Sequence, residues 1–281
     1  MCGIAGVLDP GGTAPALDSV ERIVTRLQHR GPDDAGVEMC VGQEPPVVVL
    51  GHTRLAIIDL SPAGRGPMRD IHGKLCITFN GEIYNYRALR EQLASYTWQS
   101  QTDTEVILAA YERWGPALVK HLRGMFAFAL WDADRQQLFL ARDRLGIKPL
   151  YFYAAPSGEF VFASEVRALL ASRRVPRELD PVALDEYLAY QSVPSPRTLI
   201  QGVRSLPPGA WLVVDRRGEI TEGRYWDQLE DAALDARGAT YAEARREVGQ
   251  RLRAAVELHL VSDVPVAAFL SVGSTRARSW R

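Results

Sequence analysis

Apolar residues in the first 165 or so positions come in short runs cut by Gly and Pro. Gly3–Leu8, Val47–Leu50, Leu75–Asn80, Phe126–Trp131, Gln137–Ala141, Leu150–Tyr153 and Phe160–Ala163 each read as a strand. Two segments carry helical spacing instead. Tyr86–Ala94 sets Leu89 and Leu93 four apart, and Thr104–Trp114 gathers Val106, Ile107, Ala110 and Tyr111 on one face. Strands with helices packed outside them predict a layered α+β domain, bounded at residues 2–215. A further short helix is expected over Pro181–Tyr190, with Pro in its first turn, and Leu206-Pro207-Pro208-Gly209 marks a turn. Residues 216–240 read as a linker, acidic and small over Asp227–Gly238. After it, Tyr241–Leu260 places Val248, Leu252, Val256 and His259 at helical spacing, and Val264–Leu270 reads as an apolar strand of a second piece, 241–281. The chain shows no internal repeat and no low-complexity tract.

Composition narrows the function classes. Of 281 residues, 47% are hydrophobic and 24% charged, enough for one large domain and part of another. A net charge of -1 removes the electrostatic case for nucleic acid or a membrane surface, and the basic tail Arg276, Arg278, Arg281 reads as a solvated end. Three cysteines, Cys2, Cys40 and Cys76, are too few and scattered for a disulfide framework or a metal site. Cys76 sits in an apolar run and is expected in the core. With no apolar span of membrane length and no signal-like start, the expected compartment is cytoplasmic.

Cys2 is the first candidate for chemistry. Removal of Met1 would leave a thiol and a free α-amine on one residue, and an α-amine titrating at roughly 7.7–8.0 is a competent base for a thiol. Alone, a small residue starting a strand is the plainer explanation. Four further segments each have two readings. His29-Arg30-Gly31-Pro32-Asp33 is a turn by composition. Arg54, in Gly51–Ile57, is either a surface charge or a bidentate clamp for a carboxylate. Asn80-Gly81 is either a hairpin turn or an oxyanion hole formed by the Asn80 amide and the Gly81 N–H. Thr102-Asp103-Thr104-Glu105 fits a helix capping box of Thr102 with Glu105, with Asp103 helping to start the helix or binding an ammonium group.

Taken in order, Cys2-Gly3-Ile4, Arg30-Gly31-Pro32-Asp33, Arg54-Leu55-Ala56-Ile57, Phe79-Asn80-Gly81-Glu82-Ile83-Tyr84-Asn85 and Thr102-Asp103-Thr104-Glu105 give a specific signature. With Ala141–Tyr151 and Phe162-Ala163-Ser164-Glu165, the chain resembles the glutamine-hydrolysing asparagine synthetases, class II glutamine amidotransferases of the N-terminal nucleophile hydrolase kind. The resemblance runs from residue 2 to about 270. It implies a four-layer α-β-β-α sandwich followed by an incomplete α/β synthetase domain. It further implies that Cys2 attacks the side-chain amide of L-glutamine, that Asn80 and Gly81 hold the oxyanion, and that Arg54 grips the substrate α-carboxylate. Glu82 and Asp103 would hold the α-ammonium, with Leu55, Ala56, Ile57 and Ile58 lining the pocket. Glutamine hydrolysis needs no cofactor or metal. In the full-length family ATP, Mg²⁺ and L-aspartate serve asparagine formation, and a homodimer is the assembly expected.

The second half departs from the pattern. The family's Ser-Gly-Gly-x-Asp-Ser phosphate loop is here Ser271-Val272-Gly273-Ser274-Thr275-Arg276, with Val272 for a glycine and no Asp. Leu270 and Ser271 are what is left of a nucleotide contact, and ATP is not expected to bind this chain. The reading is a truncated or frame-shifted gene with an altered tail from about Val272, exposing Phe269 and Leu270. Three functions compete: a glutaminase of asparagine synthetase type, the amidotransferase half of an enzyme with another acceptor such as a peptidoglycan, lasso-peptide or antibiotic precursor, and a non-catalytic remnant or interaction module.

Overall fold

Strands dominate the computed structural model, which describes residues 1–12, 16–41, 45–229 and 240–267. Among these residues twelve strands form two six-stranded antiparallel sheets. The first has the order β10-β8-β9-β1-β3-β2, with β1 (Gly3–Asp9), β2 (Asp34–Val41), β3 (Val47–Arg54), β8 (Tyr151–Ala154), β9 (Phe160–Ala163) and β10 (Val203–Ser205). The second has the order β12-β11-β7-β6-β5-β4, with β4 (Met68–Arg69), β5 (Leu75–Ile83), β6 (Gly124–Asp132), β7 (Gln137–Arg142), β11 (Ala210–Asp215) and β12 (Ile220–Arg224).

Strand alternation builds three apolar layers. In β1, Ile4 and Leu8 face the second sheet and join Ala127, Ala129, Trp131, Leu138 and Leu140 between the sheets. Ala5 and Val7 face the other way, onto Val20, Ile23, Val24 and Leu27 of α1 (Ala16–Leu27) and Leu169 of α4 (Val166–Ala171). On the far side, Leu75, Ile77 and Phe79 of β5 pack under α2 (Tyr86–Gln92) and α3 (Asp103–Trp114). The result is the four-layer α-β-β-α sandwich implied by the resemblance. Both sheets are covered on both faces, which explains runs such as Phe126–Trp131 that are apolar without alternation.

Several expectations change. Helix α1 is not among the expected elements, although Ala16, Val20, Ile23, Val24 and Leu27 recur at helical spacing and are buried. Strands β11 and β12 are also not among the expected elements; β11 alternates, with Ala210, Leu212 and Val214 inward, while four of the five residues of β12 are exposed. Asn80-Gly81 makes no hairpin. β5 runs straight through, pairing Asn80 with Ala127 and Gly81 with Phe126. A Cβ on Gly81 would stand 2.8 Å from the Phe126 Cα, so glycine lets the two strands approach. The expected helix over Pro181–Tyr190 is α5, and the one over Tyr241–Leu260 is α6 (Tyr241–His259). Val248, Leu252 and Val256 of α6 remain exposed. Val264–Leu270 has the composition of a strand, but residues 264–267 are not in one, since no described strand pairs with them. Phe269, Leu270, Ser271 and the tail from Val272 lie outside the described residues.

Where β9 ends, a side chain continues its ladder with β1. The Ser164 N–H donates to the Ile4 carbonyl at 3.0 Å, and the Ile4 N–H donates to Ser164 Oγ at 3.0 Å, both groups being buried. Ser164→Ala strands the Ile4 donor. It is expected to lower the free energy of unfolding by about 1–3 kcal/mol, read from urea denaturation.

Candidate active site

Cys2 precedes β1 and its place is set by the motifs around it. Arg30, nearly buried, donates from Nε to the Cys2 carbonyl at 3.0 Å and pairs through Nη1 with Glu165 at 3.1 Å. His29 and Arg167 complete the cluster on Glu165. Gly31 lies against the backbone of Thr53 and Arg54, where a Cβ would approach to 2.5 Å. Asp33 takes the Arg54 carbonyl through its N–H at 3.0 Å and accepts the Ala56 N–H on its carboxylate at 2.8 Å. A turn by composition, this segment in space joins the start of β1 to the end of β3.

The Cys2 sulfur accepts the Leu55 N–H at 3.4 Å and lines a cavity of about 200 Å³. Arg54, Leu55, Ile57, Ile58, Asn80, Gly81, Glu82 and Asp103 line it too, so residues from three separate segments converge with the thiol. Ala56, expected to line the pocket, does not, because its amide is turned onto Asp33. Asn80 is 1% exposed, and both its amide nitrogen and oxygen are buried without a partner, an arrangement that normally calls for a ligand or water.

Arg54 is buried, which overturns the plainer reading of a surface charge. Its guanidinium holds the carbonyls of Ser61 at 3.0 Å, Ile58 at 3.4 Å and Asp59, ordering the loop that walls the cavity. Those bonds use three of five N–H donors and leave two for an anion. Two carboxylates line the same cavity. Asp103, the first residue of α3, accepts the Ile83 N–H at 2.8 Å across the cavity edge. Burial pushes its carboxyl up to about 7, against the pull of that N–H, and the neighbouring Glu82 adds to the rise. Burial also raises Glu82. Thr102 caps α3 by accepting the Glu105 N–H at 3.2 Å, but the capping box is only half formed. Glu105 turns instead to the N–H groups of Gln99 and Ser100, both at 2.7 Å.

Burial pushes the Cys2 thiol up, with the Leu55 amide and the adjacent amino terminus pulling the other way. Burial lowers the amino-terminal amine of Met1, so it loses its proton more readily. Two lining residues with titratable side chains are not among the expected site residues. His52 is held neutral, its conjugate acid lowered to about 4 by burial, with Nε2 on the Phe79 carbonyl at 3.0 Å. Lys148 is 6% exposed, and its presence beside a Gly-containing turn in Ala141–Tyr151 is the available signal. No group of three or more potential metal ligands occurs among the described residues.

The cavity can therefore hold a small zwitterion beside a thiol and a pair of amide donors. The family model of the glutamine amidotransferase domain matches residues 1–226. Among curated proteins, glutamine-hydrolyzing asparagine synthetase 3 of Bacillus subtilis (strain 168) is 36% identical over 279 residues, and amidase chyE of Penicillium rubens is 35% identical over 286. Each match takes in 97% of this chain but only 44% and 41% of those proteins, so the chain spans less than half their length. The solved glutamine phosphoribosylpyrophosphate amidotransferase of B. subtilis superposes with a TM-score of 0.60, at 20% identity, over 80% of this chain and 49% of its own. That likeness concerns the two-sheet fold. By its match over residues 1–226, the chain belongs to the glutamine amidotransferase family.

Proposed function

We propose that the cavity hydrolyses L-glutamine to glutamate and ammonia, with Cys2 as nucleophile, and that in the complete protein the nitrogen goes to an acceptor carboxyl, that of aspartate. The observation that carries the first part is the convergence on one cavity of a thiol, an unpartnered Asn80 amide and buried charges of both signs. The aspartate acceptor rests on the asparagine synthetase activity for which the relatives are named. Transfer of amide ¹⁵N from glutamine to aspartate in the presence of ATP tests it. Leu270 and Ser271, the residues expected near a nucleotide, lie outside the described residues, so no step is assigned to them.

In this reading Met1 is removed and the Cys2 α-amine takes the thiol proton. Sulfur attacks the γ-amide carbon, and the carbonyl electrons move onto an oxyanion held by the Asn80 amide and the Gly81 N–H. The C–N bond then breaks as the proton passes to the leaving nitrogen, giving ammonia and a thioester. Water, deprotonated by the same amine, releases glutamate. Arg54 meets the α-carboxylate with its two remaining donors, and Glu82 and Asp103 meet the α-ammonium. Cys2→Ala should abolish glutamate release and labelling by a glutamine-like electrophile. Labelling at Cys40 or Cys76 would refute the assignment, as would normal turnover by protein shown by intact mass to retain Met1.

Binding and chemistry separate at two positions. Arg54→Ala is expected to raise KM for glutamine by about 10–100-fold, from a lost charged pair of roughly 1.5–3 kcal/mol. Asn80→Ala should instead lower kcat by about 10²–10³. Steady-state glutaminase kinetics distinguish the two patterns.

Asp103 yields a pH-dependent expectation. Its folded pKa lies above the ordinary 3.8, so between about 4 and 7 the native state binds more protons than the unfolded one, and stability falls as pH rises through that window. Asp103→Asn keeps an oxygen for the Ile83 N–H and removes the buried charge. It should match the wild type near about pH 4 and exceed it near about pH 8 by on the order of a few kcal/mol in thermal or urea unfolding. Glutamine affinity should fall in the same variant, and in the wild type it should weaken below about pH 7 as the carboxylate protonates.

A further inference from the structure

Lys148 is a cavity cation to which no part of the substrate is assigned. It is 6% exposed, lines the same cavity as Cys2, and among the described residues its ammonium makes no hydrogen bond and no ion pair. Most of the side chain is buried and burial lowers its pKa, so holding a cation there without a hydrogen-bonded or ion-paired partner works against the fold's own stability. The loop after β7 is built to hold it there. The Asp143 carboxylate, 1% exposed, accepts the N–H groups of Phe126, Leu145, Ile147 and Lys148 at 2.9–3.1 Å. Arg142 clasps the carbonyls of Lys148, Gly146 and Leu206, each at 2.7 Å. Asp143 is thereby committed to amides rather than to the ammonium.

A count of charge in the cavity leaves one anion for Lys148. Glutamine enters as a zwitterion, its carboxylate met by Arg54 and its ammonium by Glu82 and Asp103. Arg30 is already committed to the Cys2 carbonyl and Glu165. The thiolate is the anion without a counter-charge. We propose, resting on the glutaminase reading, that Lys148 is a positioning residue that acts through Cys2: its ammonium holds the sulfur as a thiolate once the thiol proton has passed to the α-amine. The groups facing it are Cys2 and the amino terminus before β1, Glu82 on β5, Arg30 after α1 and Asp143 on its own loop, with Asp103 of α3 facing the thiol. The ammonium favours the charged sulfur, pulling the thiol down against the burial that raises it. One fixed cation thus stabilises the sulfur anion without exchanging a proton itself, and the thiol's proton stays on the α-amine until it passes to the leaving nitrogen.

The test follows alkylation of Cys2 by iodoacetamide against pH, with Cys2, Cys40 and Cys76 peptides resolved by mass. In Lys148→Met the inflection for Cys2 should move up by about one pH unit, with a roughly tenfold slower rate near about pH 7. Lys148→Arg should restore the wild-type inflection, which a purely packing role would not. In glutaminase kinetics, Lys148→Met should lower kcat by about tenfold and change KM less than about threefold. An unmoved inflection in folded Lys148→Met, or in Lys148→Gln should the Met variant fail to fold, overturns the role. So does a raised KM with an unchanged inflection, which would make Lys148 a substrate ligand. The alkylation profile needs no turnover. Failure of the wild type to release glutamate would overturn the glutaminase reading, whereas an unmoved inflection beside normal glutamate release would overturn the role of Lys148 alone.

Discussion

Everything at this site depends on how firmly β1 is seated. The start of a chain ordinarily frays, and a nucleophile at position 2 would fray with it. Here β1 occupies the interior of its sheet between β3 and β9, with all seven residues buried. Its pairs run Gly3–Thr53 to Asp9–Val47 on one side and Ala5–Ala163 to Leu8–Phe160 on the other. Ile4 and Leu8 are fully buried between the sheets, each worth roughly 1.5–3 kcal/mol against exposure. Ser164 carries the ladder to Ile4 and Arg30 carries it to the Cys2 carbonyl, so rigidity from the sheet reaches the thiol with no loop between them. The motif segments Arg30–Asp33 and Phe162–Glu165, distant in sequence, share this one task.

The cavity itself opposes stability. Asn80 presents two unpartnered buried atoms and His52 a third at Nδ1; Asp103 is held near neutrality by burial, and the Lys148 ammonium makes no hydrogen bond or ion pair among the described residues. Such groups cost free energy in the empty protein and recover it only when complementary groups arrive. Their concentration in one small space, beside motifs such as Asp143 whose every oxygen is satisfied by amides, separates a site built for a ligand from structural polarity elsewhere.

Much of this is legible in the order of residues. Strand runs appear because both sheets are covered on two faces, and the site residues because their types match the charges of one amino acid. The features that escape do so for identifiable reasons. Asn80-Gly81 carries the composition of a hairpin, yet Gly81 is there because β6 passes too close for a side chain. Arg54 reads as surface polarity until its loop folds back over it, since the carbonyls it holds lie only four to seven residues ahead. Lys148 is a single lysine in a turn, and only the third dimension brings it to Cys2. Edge strand β12 is too polar for its pattern to speak, whereas the period of α1 is clear but diluted by the buried Ser19 on its apolar face.

The wall of the cavity is also held from outside the family-matched region. Arg54 and Asp33 fix the loop from within. Beyond α6, the Asp263 N–H donates to the Ile57 carbonyl at 3.0 Å and its carboxylate accepts the Asp59 N–H at 2.8 Å, while His259 lies 4.5 Å from the Tyr84 ring. Magnitudes decide which set governs. Asp263 contributes one neutral and one charge-assisted bond, the latter exposed to solvent, whereas the buried guanidinium of Arg54 makes three charge-assisted ones, each roughly twice the about 0.5–1.5 kcal/mol of a neutral bond. The loop therefore keeps its shape through Arg54, and the segment after α6 can only trim its position. Asp263 thus adds two bonds to a wall whose shape Arg54 already sets.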